Sequence, residues 1–139
     1  IFNSNFFSNN NFYFDDNTDS VDSFLESDIL ISDWSGSAIE FAFTKLRPVI
    51  FIDGKPKTNN PNWRQLNLPC FEDKIRNEIG HIISINELDK LSNLIKNIFD
   101  NLSSWEDKIL MIRKNSVFNL GFSSKCGAKV IDNHLKKKY

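Results

Sequence analysis

The chain has 139 residues, 40% of them hydrophobic and rich in Ile and Phe, with a formal net charge of −1. That size suits a single domain with a real core, and the near-neutral charge argues against nucleic acid, whose phosphates demand a basic excess. No apolar run approaches the roughly 18 residues of a membrane span and no signal peptide is visible. Cys70 and Cys126 are isolated, which points to reduced thiols and a cytoplasmic setting. His81 and His134 lie far apart and near no other ligand pattern, so neither a metal centre nor a cofactor is expected. The dense basic cluster Lys136-Lys137-Lys138 reads as a solvated terminus. The chain opens on Ile1-Phe2-Asn3 without an initiator Met and is expected to be a piece of a longer protein.

In chain order, residues 1–11 are dominated by Asn, Ser and Phe and predict a loop. Phe12-Tyr13-Phe14 predicts an aromatic strand ended by Asp15-Asp16-Asn17. Thr18 or Asp19 can cap a short helix with Val21, Phe24 and Leu25 on one face. A buried strand over 28–33 follows, then a helix over about 36–46 that Arg47-Pro48 stops. Val49-Ile50-Phe51-Ile52 is an uninterrupted apolar strand closed by Asp53-Gly54. The polar, proline-bearing stretch from Lys55 to Leu68 predicts a long surface loop with Trp63 and Arg64 at its far end. Phe71 to Glu78 predicts a helix and Gly80 to Ser84 a final strand.

Three amphipathic helices complete the chain. The first opens at Asn86 and carries Leu88, Leu91, Leu94, Ile95, Ile98 and Phe99. The second follows Ser103-Ser104 with Trp105, Ile109 and Ile112 inward. The third follows Ser123 or Ser124 with Ala128, Ile131 and Leu135. All three read as packing elements. The alternation of strands and helices predicts an α/β fold: a three-layer Rossmann-like domain with a mostly parallel sheet of about four strands and helices on both faces.

The stretch Ile29-Leu30-Ile31-Ser32-Asp33-Trp34-Ser35-Gly36-Ser37 carries the strongest functional signal. An apolar strand ends in a polar turn, and a helix then opens on small hydroxyl residues. Two readings fit: a plain serine-capped helix, or an anion site made of unpaired N–H groups at the positive end of a helix dipole. Ligands of parallel α/β sheets sit at the carboxyl ends of the strands, where Asp15, Asp33 and Asp53 each close a predicted strand. That placement favours the anion site. Carboxylates repel phosphate, so binding would fall to amides and hydroxyls, with some of the aspartates bracing turns instead.

The run Ser27-Asp28-Ile29-Leu30-Ile31-Ser32-Asp33-Trp34-Ser35-Gly36-Ser37-Ala38-Ile39-Glu40-Phe41, followed by Arg47-Pro48-Val49-Ile50-Phe51, resembles the CDP-glycerol glycerophosphotransferase family of teichoic-acid and capsule-type enzymes. Asp33, Trp34 and Ser35 stand for that family's Asp-Tyr-Ser, Gly36 replaces its second Ser, Ser37 lies one residue along, and Glu40 stands for its helical acid. The match covers about residues 27–53 and is looser beyond, at Gly80 and at Asn119-Leu120-Gly121-Phe122-Ser123.

The resemblance implies the nucleotide-binding C-terminal half of a GT-B fold, needing no bound metal. The hydroxyl acceptor would be held by an N-terminal domain absent from this chain, as would the family's catalytic His-Pro strand. It implies attack by an acceptor hydroxyl on the β-phosphorus of CDP-glycerol with release of CMP, and peripheral association of the whole enzyme with the inner face of the cell membrane. Ser35, Gly36 and Ser37 would meet the donor phosphates, with Asp33 beside them. Glu40 would accept from ribose or glycerol hydroxyls, and Arg64 and Arg76 would neutralise phosphate. The 139 residues alone are expected to be inactive. Two alternatives stand beside this reading: a GT-B glycosyltransferase using a nucleotide sugar, and a non-catalytic phosphate-binding or interaction domain.

Overall fold

A sheet of three parallel strands, in the spatial order β1-β2-β3, organises the chain: β1 is Leu30–Ser32, β2 Val49–Asp53 and β3 Gly80–Ser84. The computed structural model describes residues 10–54, 60, 62, 65, 67 and 70–137. The first nine residues, Trp63, Arg64 and most of the 55–68 stretch lie outside the described residues. Register places Leu30 beside Val49 and Val49 beside Gly80.

The helices are α1 Val21–Glu26, α2 Gly36–Lys45, α3 Phe71–Ile79, α4 Leu91–Phe99, α5 Leu102–Ser116 and α6 Ser123–Lys136. The crossovers through α2 and α3 step the same way across the sheet, and crossovers of one hand then put both helices on one face. There Ala38, Phe41 and Ala42 of α2, Ile75 and Ile79 of α3 and Ile109 of α5 bury Val49 and Phe51. The alternate residues of β2, Ile50 and Ile52, point to the other face and meet Ile98, Leu94 and Ile95 of α4. Two side chains tie the first layer together. Phe24 of α1 meets Phe41 edge-on at 5.4 Å, and Arg113 Nη1 of α5 donates to the Phe43 carbonyl at 2.6 Å. That carbonyl belongs to the last turn of α2, where a cation is favoured.

Several expectations are corrected. The protein is α/β, but among the described residues its sheet has three strands, which is not the four-stranded three-layer domain expected. Phe12-Tyr13-Phe14 is not a strand. Its side chains are exposed, Tyr13 by 79%, and β propensity counts for little where side chains are not packed on a half-buried surface. Asp15 therefore closes no strand; it accepts from the Asn17 amide and the Ser23 hydroxyl, bracing the turn into α1. The first strand is not covered on both faces, since Ile31 is 42% exposed, and among the described residues it lies at the edge of the sheet. The helix expected from Asn86 begins as a 3₁₀ segment, Ile85–Lys90, with Ser84 Oγ accepting from the Asn86 amide. The last helix is not a packing element: α6 buries none of its residues, and Ile131 and Leu135 are exposed. Among the described residues no helix is long and apolar enough to cross a membrane.

Candidate functional site

β1 ends at Ser32, the chain turns through Asp33 and Trp34, and α2 begins at Gly36 with Ser35 as its N-cap residue. The turn closes with the Ser35 amide donating to the Asp33 carbonyl at 3.1 Å. Ser35 has the extended backbone typical of an N-cap, yet its side chain makes no capping bond. Its hydroxyl pairs instead with the Ser37 hydroxyl at 2.6 Å. Two hydroxyls thus sit together at the start of a ten-residue helix whose first N–H groups no side chain caps. Gly36 is exposed, and a Cβ built there would meet nothing within 4 Å. Glu40 is exposed one turn further on, four residues from Gly36 and so on the same side of the helix.

Arg76 reaches this end of the sheet from α3. It is only 4% exposed, and its Nη2 lies 3.2 Å from Asp53 Oδ1 at the end of β2. Its guanidinium lies 3.9 Å from the Trp34 ring centroid and 4.9 Å from that of Phe51. The cation is therefore held between two aromatic rings and anchored by a carboxylate that stays half exposed. The Nε1 of Trp34 and the Nε of Arg76 are buried without a hydrogen-bond partner among the described residues.

The expected site residues accordingly divide. Asp33, Ser35, Gly36, Ser37 and Glu40 share the β1–α2 junction, and Arg76 joins them through Trp34. Arg64 lies outside the described residues. Asp53 serves as the partner of Arg76. Trp34, which the motif alone marks only as an aromatic in the turn, links Arg76 to that turn. Its partnership spans the chain from residue 34 to 76, and no local pattern signals such a contact.

His81 stands apart, near the amino end of β3 and beside Ile50 in register. Burial first, and the nearby Lys108 charge second, hold its pKa below the usual 6.5. A histidine that resists protonation in the fold binds fewer protons than the unfolded chain does. Its contribution is complete above the unfolded pKa and declines as pH falls through that value. Unfolding midpoints should therefore drop between pH 7.5 and 5.5, about where His titrates. His81→Asn should flatten that part of the profile; an unchanged slope would assign it to other groups.

Among the described residues no three His, Cys, Asp or Glu side chains are grouped to hold a metal ion. Comparison of the chain with protein-family models, with curated proteins and with solved structures returns no match. The family resemblance of residues 27–53 thus rests on the motif itself.

Because Gly36 faces open space, Gly36→Ala should not harm the fold. Alanine at a helical position is expected to leave the denaturation midpoint unchanged or to stabilise by up to about 1 kcal/mol. Any effect of this substitution on ligand binding then reports on crowding at the backbone, not on folding.

Proposed function

We propose that this chain carries the donor-binding half of a CDP-glycerol glycerophosphotransferase-like enzyme, with the donor diphosphate at the start of α2. The observation that carries the reading is the Ser35–Ser37 hydroxyl pair at the uncapped N-terminus of α2, at the carboxyl end of a parallel sheet. Free N–H groups, two hydroxyls and the positive end of the dipole all favour a diphosphate there. Gly36 lets it approach the backbone. Glu40 lies where a ribose or glycerol hydroxyl could donate to it.

In the reaction, a new bond forms between an acceptor oxygen and the β-phosphorus. The bond from that phosphorus to the CMP oxygen breaks, and the acceptor proton leaves to a base. The charge that grows on departing CMP is what fixed N–H and hydroxyl donors stabilise without rearranging. The Rossmann-like, GT-B character of the whole enzyme, its hydroxyl acceptor bound by another domain, its peripheral membrane association and its place in cell-surface polymer synthesis belong to this same proposal.

Titration calorimetry with CDP-glycerol and UDP-glucose tests it. CDP-glycerol should bind at least about tenfold more tightly, a difference of about 1.4 kcal/mol. Ser35→Ala should weaken that binding by about tenfold, the worth of one hydrogen bond to a charged group. Its melting temperature should stay near that of the unaltered chain, since the Ser35 side chain caps nothing. Preference for UDP-glucose would make the chain part of a nucleotide-sugar glycosyltransferase. Indifference to both would leave a non-catalytic interaction domain.

A further inference from the structure

A groove of about 390 Å³ opens at the edge of the sheet formed by β3. His81 comes from β3, Asn97 and Ile98 from the last turns of α4, and Ser104, Trp105 and Lys108 from the first turns of α5. His81 is the second residue of its strand, so the groove lies toward the amino ends of the strands, opposite the Ser35–Ser37 junction. Its volume falls within the range of small-molecule sites, about 300–1,000 Å³.

The Trp105 indole positions both nitrogen bases of the groove. The His81 ring meets it edge-on at 5.4 Å, and Lys108 Nζ sits 4.4 Å from its ring centroid. Among the described residues no carboxylate lines the groove to balance these groups, and Lys108 is the one charged side chain of its lining. Asn101, at the N-cap of α5, makes no capping bond; its side-chain amide donates to the Asn97 carbonyl at 2.8 Å instead. From the start of α5, Asn101 and Ser104 line the groove.

We infer that this groove is a second ligand site and takes a phosphomonoester, its phosphate held by Lys108, His81 and Ser104 and its organic part lying along Ile98 and Trp105. A carboxylate would neutralise one of the two bases, whereas a phosphate dianion neutralises Lys108 and a protonated His81 together and offers an acceptor to the Ser104 hydroxyl as well. The Lys108 charge that now disfavours the imidazolium is offset once a dianion lies between them, so occupancy and His81 protonation are coupled.

Proton NMR of the histidine rings tests the site, because the chain has two histidines and His134 on α6 serves as the control. Inorganic phosphate and phenyl phosphate should each shift the His81 resonances saturably and raise their titration midpoint while leaving those of His134 in place. Lys108 is exposed, so Lys108→Gln should fold normally and weaken binding by about tenfold or more. Ser104→Asp, which brings a carboxylate into the groove, should abolish binding, and Ser35→Ala should leave it intact. Absence of a saturable His81 shift, equal shifts of both histidines, or unaltered binding by Lys108→Gln would overturn the assignment.

Discussion

Replacing Gly80 by alanine is expected to cost about 3 kcal/mol or more of folding stability, the upper end of what overpacking does in a core. A Cβ on Gly80 would lie 1.8 Å from the Val49 carbonyl oxygen and 2.8 Å from its carbon. The φ of −174° is ordinary extended backbone, so the penalty comes from contact and not from conformation. Val49 has no room to yield. It is fully buried on β2 and pairs with Leu30 on its other side, so moving it away from β3 disturbs the whole sheet. Urea denaturation should show a large fall in midpoint, with Gly127→Ala as the control. A Cβ at Gly127 meets nothing within 4 Å, and alanine inside a helix should stabilise by about 0.5–1 kcal/mol. Equal midpoints for Gly80→Ala and the unaltered chain would mean that β3 is not seated against β2 as described.

Arg76→Ala is expected to destabilise by about 2–4 kcal/mol, through lost packing more than through lost charge. The guanidinium fills the space between Trp34 and Phe51, and truncation leaves that space empty. Its partner Asp53 is half exposed and can rehydrate, which keeps the cost below that of stranding a fully buried carboxylate. Arg76→Met should recover a good part of the loss, since its chain restores volume between the rings. Arg76→Lys should recover less than an equivalent charge would suggest, because an ammonium cannot lie flat on an indole. If Lys restored stability fully and Met did not, the charge pair with Asp53 would outweigh the stacking. Trp34 fluorescence should change in each variant, since its ring is the one nearest the cation.

What could be read from the residues follows how local each signal was. The Gly80–Ser84 strand has the bounds expected for it, and α2 stops at Lys45 with Leu46 in the left-handed conformation before Arg47-Pro48. Both rest on short-range rules: the short apolar pair Ile82-Ile83 within the strand and the restriction before proline. Phe12-Tyr13-Phe14 misled because aromatic residues favour strands where they pack on a half-buried sheet, and here they lie exposed. The last helix misled in a different way. Its apolar positions keep helical spacing, but periodicity tells which side of a helix is apolar and not what covers it.

The candidate site shows the same division. The Ser35-Gly36-Ser37 junction was legible because the consecutive residues from Ile29 to Ser37 carry it. The Arg76 arrangement was not, since Trp34, Phe51, Asp53 and Arg76 meet only after two crossovers have formed. The groove of His81, Trp105 and Lys108 was equally hidden, as it is assembled from a strand and two later helices.

The central claim is that a nucleoside-diphosphate donor binds the start of α2, and amide NMR of the ¹⁵N-labelled chain titrated with CDP-glycerol tests it most directly. Saturable shifts are expected at the amides of Ser35, Gly36 and Ser37, together with the indole N–H of the adjoining Trp34, which is buried without a partner among the described residues. Saturable shifts that leave those four resonances unmoved, or no saturable shift anywhere, would contradict it.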